Sequence, residues 1–441
     1  YARYMKGDQR YPKWLENPSE VWKRGLVPVS LMLPSPKADE MIREWARSAA
    51  SDQDSDAILD IVEMVNRLKS KFTTYNIPFL SLPTETDRET ALNVFIRMNT
   101  SASPLSNFDI VVAQVEAKTE MSMHDLVGML TEKSPNLEHY GNTADLMLAT
   151  SALLQDKPPT KTTYLGSDFA DRLIEDWENI EIGVKRAIAF LEEEFIYDGM
   201  RLPTDVVLHP LAALWANCTD GLDEEGETRT ILRKYLWRAA FTDRYDRSSA
   251  TRVLVDYRSL RKILDGDTFQ SPIVFDEELY PLPTASILKT AGWPKRKDRM
   301  ARGILAISFR FGAVDFADAR PVSRDSIQQR EYHHLFPRRY LQDTGVPESH
   351  ANLALNCALV TWKTNRMLAA KSPESYILER AEQSSLGKDE VRRRIETHLI
   401  PYEQLMDNDY EEFLEVRSVR LNQVLKRLCD GEYVASAVPV T

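Results

Sequence analysis

The chain has little cysteine and no long apolar run, and both absences narrow its class. Three cysteines in 441 residues, Cys218, Cys357 and Cys429, lie far apart, form no Cys-x-x-Cys and leave an odd count. Neither a disulfide framework nor a cysteine-zinc site is supported, and the three read as reduced core residues. No apolar stretch approaches the roughly 20 residues needed to cross a bilayer, and the N-terminus lacks the charged-then-apolar order of a signal peptide. No membrane partner is expected, and a cytoplasmic location follows by default. Internal repeats and low-complexity segments are absent. Positive charge is also short overall: the net charge of −11 argues against a protein that coats nucleic acid without discrimination. The first residue is Tyr1 and not Met, so the chain is expected to be part of a longer protein.

What is present is enough for two or three domains with sizeable cores, because 441 residues carry 43% hydrophobic side chains. The expected fold class is mainly α with small β elements. Ile58, Ile61, Val62, Val65, Leu68 and Phe72 recur at helical spacing and predict a helix over 56–72. Ile77 to Leu82 reads as a short strand before a helix over 88–98. Ser106 precedes Asp109 by three residues, the signature of a capping box opening a helix near Asn107. Further helical patterns cover 143–155, 168–195, 205–217, 228–240, 250–264, 302–311, 388–398 and 409–429. Ser372-Pro373-Glu374 reads as an N-cap followed by proline at the first helical position. Pro272, Pro281, Pro283 and Pro294 interrupt any regular element, so 271–294 is expected to be a linker at the main domain boundary. That divides the chain into 1–125, a helical middle over 126–270, and a C-terminal domain over 295–441.

Local charge departs from the acidic total. Ten Lys or Arg against three Asp fall between Arg229 and Lys262, and Lys295-Arg296-Lys297-Asp298-Arg299 with Arg302 forms a second basic cluster. Such clusters can concentrate positive potential where a polyanion sits; a solvated helix face is the alternative reading.

The densest chemical signal is Tyr332-His333-His334-Leu335-Phe336-Pro337, followed by Asn356 and by Thr364-Asn365-Arg366. With seven histidines in the chain, an adjacent pair arises by composition alone about one time in ten. The order His-His, Asn, Asn is threaded through an apolar strand-like run, Cys357 to Trp362, and a helix-like run from Lys363. That layout predicts a C-terminal ββα-metal nuclease domain of HNH type. In such a site a neutral imidazole takes a proton from water while a divalent metal acts as Lewis acid on phosphoryl and leaving oxygens. His334 is assigned as base, His333 and Asn365 as metal ligands, and Asn356 as the residue that orients His334. Adjacent strand residues face opposite ways, so both histidines share one site only where regular pairing breaks, and Pro337 is expected to cause that break. Mg²⁺ suits the oxygen-rich, water-retaining set, with Mn²⁺, Ni²⁺ or Zn²⁺ admitted by the nitrogen ligand. Arg338, Arg339 and Lys371 are candidates for phosphate contacts. His350 and His398 are expected at the surface. A satisfied core or surface histidine, an asparagine turn and an asparagine helix cap are the bland alternatives for the same residues.

Taken with Lys371-Ser372-Pro373, these motifs resemble the C-terminal HNH nuclease domain of GmrSD-like modification-dependent (type IV) restriction endonucleases. Upstream, Phe95, Arg97 and Asn99 in Val94-Phe95-Ile96-Arg97-Met98-Asn99-Thr100, with Pro104-Leu105-Ser106, resemble the F-x-R-x-N-T motif of that family's ParB-like N-terminal domain. The resemblance implies a DNA endonuclease or nickase of anti-phage defence that acts on modified foreign DNA, with residues 1–125 the latter part of a sensing, NTP-using domain. The family's D-G-Q-Q-R motif is missing, since Gly7-Asp8-Gln9-Arg10 has the wrong order, so NTP use is expected only through preceding sequence. Where the family usually has glycines after the motif, this chain has Ser101-Ala102-Ser103. A homo-oligomer is compatible with the sequence, which does not set oligomeric state. The rival from another class is a non-catalytic or NTP-gated nucleic-acid-binding regulator with a degenerate motif.

Overall fold

The computed structural model describes residues 4–6, 9–11, 13–33, 36–50, 54–75, 81–86, 90, 94, 106–116, 122–218, 221–267, 271–295, 298–361, 364, 371–383 and 387–435. The chain is mainly helical, and its described residues include two small antiparallel strand pairs. It separates into two compact units, Tyr1–Ala91 and Leu92–Thr441. The expected strand near Ile77 and helix over 88–98 fall largely outside the described residues, as do Phe95, Arg97 and Asn99.

In the first unit β1 (Tyr4–Lys6) pairs with β2 (Gln9–Tyr11), and three helices follow: α1 (Pro18–Lys23), α2 (Ala38–Ala50) and α3 (Ser55–Thr73). α3 starts where Asp54 accepts a hydrogen bond from the Ala57 amide at 3.0 Å. Its apolar spacing turns Ile61 and Val65 onto Ile42, Ala46 and Ala49 of α2, which builds a small core.

The second unit opens with α4 (Asn107–Glu116). The capping box forms as its sequence requires: the Asp109 amide donates to Ser106 Oγ at 3.1 Å, and the Ser106 amide donates to Asp109 Oδ2 at 2.8 Å. Helices α5 (Met123–Lys133), α6 (Thr143–Leu154), α7 (Lys161–Tyr164), α8 (Phe169–Glu175), α9 (Trp177–Glu193), α10 (Leu208–Ala216), α11 (Leu222–Phe241) and α12 (Ser249–Leu264) follow. The single helix expected over 168–195 is two, broken at Asp176. α6 and α10 are apolar on nearly every side because both run through the core, where Met147, Leu148, Leu211 and Ala212 have no exposure. α9 and α10 pack so closely that a Cβ on Gly183 would lie 2.2 Å from the Ala212 carbonyl oxygen.

Residues 271–294 form no linker. They belong to the second unit and carry α13 (Ala285–Leu288), and Val274 and Leu288 are fully buried. The Asn422 side chain donates to the Pro283 carbonyl at 2.8 Å. Proline removes backbone donors but does not prevent apolar side chains between prolines from packing. α14 (Arg299–Phe309) then crosses the core, followed by β3 (Arg330–His334), α15 (Arg338–Asp343), α16 (Glu348–Ala351), β4 (Cys357–Thr361), α17 (Pro373–Gln383), α18 (Gly387–Glu396), α19 (Tyr402–Met406) and α20 (Tyr410–Cys429). Ser372 caps α17 as expected, accepting from the Ser375 amide at 3.3 Å.

Replacing Gly183 with Ala should lower unfolding stability by about 1–3 kcal/mol, because the methyl must displace backbone and not a flexible side chain. A denaturant titration reads this directly; an unchanged midpoint would mean that α9 and α10 separate at little cost.

Candidate active site

The site is built on the β3–β4 pair. The register sets Tyr332 opposite Leu359, His333 opposite Ala358 and His334 opposite Cys357, and directly opposed residues share a face. Tyr332, Cys357 and Leu359 pack into a small core with Leu305, Phe309, Ile327 and Trp293, whereas Ala358 and Val360 join the large core. Pairing stays regular through both histidines, so they take opposite faces. His333 is buried on the Ala358 side and His334 half-buried on the Cys357 side. Pro337 does follow the strand, as expected, but it caps α15 without disturbing the register between the two histidines.

A buried carboxylate fixes the pair. Asp315, with no exposure, accepts from the Thr361 amide at 2.6 Å and from Arg330 Nη1 at 3.1 Å through Oδ2. Its Oδ1 accepts from Thr364 Oγ1 at 2.6 Å, from the Ala317 amide at 2.9 Å and from the Asp318 amide at 3.1 Å. Burial alone would raise its pKa, but these donors outweigh burial and hold it below the ordinary aspartate value. One side chain thereby joins the start of β3, the end of β4 and the helical residue Thr364.

Two residues hold the His334 ring. Its Nε2 lies 3.0 Å from Asn352 Oδ1, and its plane stacks on Trp293 with centroids 3.9 Å apart and 11° between planes. Asn352 Nδ2 donates to the Glu348 carbonyl at 3.2 Å, which leaves Oδ1 to meet the imidazole. An amide oxygen only accepts, so the neutral ring carries its proton on Nε2 and its lone pair on Nδ1. Burial lowers the His334 pKa, the Asn352 bond opposes that, and the Arg338 cation lowers it further. The net shift is downward, which keeps the ring neutral at neutral pH.

His334 lines a cavity of about 680 Å³ together with Trp293, Asn352, Arg338, Lys295 and Arg330. The size suits a small ligand or part of a chain. The cavity's arginines differ in availability. Arg330 is buried against Asp315, and Arg201, also on the lining, is buried against Asp198. Arg338 is exposed and 3.3 Å from Glu348, and Lys295 is exposed.

The sequence-derived residues therefore separate. His334 and Arg338 meet at the cavity; His333 is not on its lining, and neither are Arg339 and Lys371, which are exposed and paired with Asp343 and Glu379. Asn365 lies outside the described residues. Asn356, expected to orient His334, is fully buried and bonded elsewhere. Its Oδ1 accepts from the Phe336 amide at 2.8 Å, and its Nδ2 donates to the Phe336 and Ala351 carbonyls, each at 3.0 Å. It shapes the chain after β3, and the side chain hydrogen-bonded to the imidazole is instead that of Asn352. Asn352, Trp293 and Asp315 were not expected at the site. A lone tryptophan in the proline-bearing stretch Gly292-Trp293-Pro294 is the signal for one of them; Asp315 has no local signal. His350 is exposed as expected, but His398 is buried. Its Nε2 lies 2.9 Å from the Val314 carbonyl, and burial holds its pKa at about 4.

The basic stretch from Arg229 to Lys262 is partly spent inside the fold and partly paired at its surface. Arg233 pairs with Glu194, Arg238 with Glu277 and Arg244 with Asp256, and all three arginines are buried. Arg229, Arg258 and Arg261 also face carboxylates. Sequence counts charges, whereas a polyanion meets only those left outside. Among the described residues no group of three or more His, Cys, Asp or Glu is arranged to hold a metal ion.

No family model matches the chain. It is similar to an uncharacterized protein of Methanocaldococcus jannaschii, 21% identical over 170 residues, which are 37% of this chain and 28% of that protein.

Because the folded pKa of Asp315 is depressed, the stability it supplies is present above its ordinary value of 3.8 and is lost as pH falls through the folded value. Asp315→Asn should be less stable than the parent at pH 7, on the order of 3 kcal/mol, since the change leaves Arg330 buried without its carboxylate. The gap should narrow below pH 4. A gap that stays constant to pH 2 in chemical denaturation would remove the charge from the explanation.

Proposed function

We propose that the chain is a metal-dependent DNA endonuclease or nickase of a modification-dependent restriction system, acting on phage or other foreign DNA. The observation that carries this reading is His334: a neutral imidazole on a cavity wall, with Nε2 tied to Asn352 and a lone pair left on Nδ1. As general base, Nδ1 takes a proton from water as the water oxygen attacks phosphorus and one P–O ester bond breaks. Arg338 and Lys295 on the same cavity supply positive charge for the phosphate.

The metal reading rests on donor chemistry. One imidazole at His333 and one amide at Asn365 would leave a Mg²⁺-like ion most of its waters, and Mn²⁺, Ni²⁺ or Zn²⁺ also accept nitrogen. When bound, such an ion supplies charge neutralisation at the phosphoryl and leaving oxygens. The regular strand register puts His333 on the face opposite His334 and off the cavity lining, so the described residues do not bring this ligand to the base, and donor chemistry alone supports the metal assignment. That same register favours the second reading, a nucleic-acid-binding regulator with a degenerate motif. NTP use is assigned to no residue of this chain, and a homo-oligomer is left to solution measurement.

Nicking of supercoiled modified and unmodified plasmid, with each divalent metal in turn, separates the readings. The parent should nick in Mg²⁺ or Mn²⁺, and His334→Ala should lose cleavage by about a hundredfold or more while retaining DNA affinity. Cleavage by His334→Ala at the parent rate would sink the base assignment, and no cleavage of any substrate by the parent would favour the regulator. Asn365→Ala should raise the metal concentration required for half-maximal rate.

A further inference from the structure

His334 has two restraints, and the proposed chemistry above uses only one of them. A hydrogen bond at Nε2 fixes a single point of the imidazole and leaves the ring free to swing about that point. A parallel stack fixes the plane. Point and plane together fix where the Nδ1 lone pair is aimed, which a proton transfer to a bound water requires. Trp293 supplies the plane, at 3.9 Å and 11°.

The segment that carries the indole is anchored through the two residues before it. The Gly292 amide donates to Asp298 Oδ2 at 3.0 Å, and the Ala291 carbonyl accepts from the Ala354 amide at 3.0 Å. Ala291 is buried, and the Tyr332 ring lies 6.5 Å from the indole at 53°. Ala354 is in turn two residues from Asn352 and two from Asn356. The segment that presents the tryptophan is therefore tied to the same turn that presents the hydrogen-bond acceptor. Both restraints on His334 are presented from one backbone frame. If Trp293 were only filling the small core with Leu305 and Phe309, no parallel alignment with a polar ring would be required.

We propose that Trp293 is a positioning residue for His334, setting the plane of the imidazole so that its Nδ1 is aimed into the cavity; this rests on the nuclease reading. Its removal acts on turnover and not on substrate binding. Trp293→Leu keeps apolar bulk and loses the stacked plane, so kcat on plasmid should fall roughly ten- to a hundredfold with KM nearly unchanged. Trp293→Phe restores a stacking ring and should recover most of that loss. Leu305→Ala, in the same small core, is the packing control and should leave kcat near the parent's at a temperature where the protein is folded.

A readout independent of cleavage is the NMR signal of ¹³C-labelled His334, assigned by its disappearance in His334→Ala. It should be displaced by the indole ring current in the parent, retain part of the displacement in Trp293→Phe, and lose it in Trp293→Leu. A parent kcat in Trp293→Leu, a loss expressed only in KM, a Phe variant no better than Leu, or an equal loss in Leu305→Ala would each overturn the proposal. An undisplaced His334 signal in the parent would overturn the stack itself. Should the parent not cleave at all, the nuclease reading fails, and the NMR signal still decides whether the ring is held.

Discussion

The candidate site depends on one buried carboxylate. Asp315 has no exposure and accepts five hydrogen bonds, from Thr361, Arg330, Thr364, Ala317 and Asp318. Burying a charge is costly unless it is paired and its lone pairs are satisfied, and here both conditions hold. The geometry follows from the valence of the group: two oxygens with several acceptor directions can gather donors from three separate stretches of chain, which no apolar contact does with comparable direction. β3 and β4 are only five residues each, and a two-stranded pair of that length is marginal by itself. Asp315 turns the pair into a fixed platform, and the position of His334 inherits that rigidity.

The same device recurs across the second unit. Glu194, at the end of α9, receives Arg233 Nε at 2.7 Å, Arg310 Nη1 at 2.9 Å and Trp237 Nε1 at 2.9 Å without exposure to solvent. Arg310 also donates to the Val434 carbonyl at 2.6 Å, which ties the C-terminal stretch to the helical body. Arg417, fully buried on α20, donates to the Cys357 and His398 carbonyls, each at 3.1 Å, and so secures the start of β4 against the chain after α18. Arginine suits this work because its planar fork donates in several fixed directions and keeps its charge. A chain that looked locally basic is, in three dimensions, a helical assembly pinned by interior guanidinium groups.

Local features were the most legible. The Ser106–Asp109 capping box, the Ser372 cap and the helical stripe of α3 each depend on residues within one or two turns, so the sequence states them completely. The strand through His333 and His334 was equally readable, and so was the placement of Pro337 after it. Three readings needed more than local information. Prolines at 271–294 suggested a linker, but apolar residues between them find partners on α20 and elsewhere. Asn356 and Asn352 are four residues apart with the same chemistry, and only the path of the backbone decides which one reaches the imidazole. The basic stretch after Arg229 gives no sign of which arginines meet a carboxylate brought from distant sequence.

By itself the sequence determined a mainly helical chain, a short strand bearing adjacent histidines, and a candidate base at His334, because helix and strand periodicities and capping act over a few residues. Tertiary structure decided the rest. It set the two histidines on opposite faces through the β3–β4 register, put Asn352 and Trp293 around the His334 ring, and drew Arg233, Arg238 and Arg244 of the basic stretch into the interior. Each of these depends on contacts between segments tens to hundreds of residues apart, where the directional demands of buried hydrogen bonds and charges, and not local propensity, select the partner.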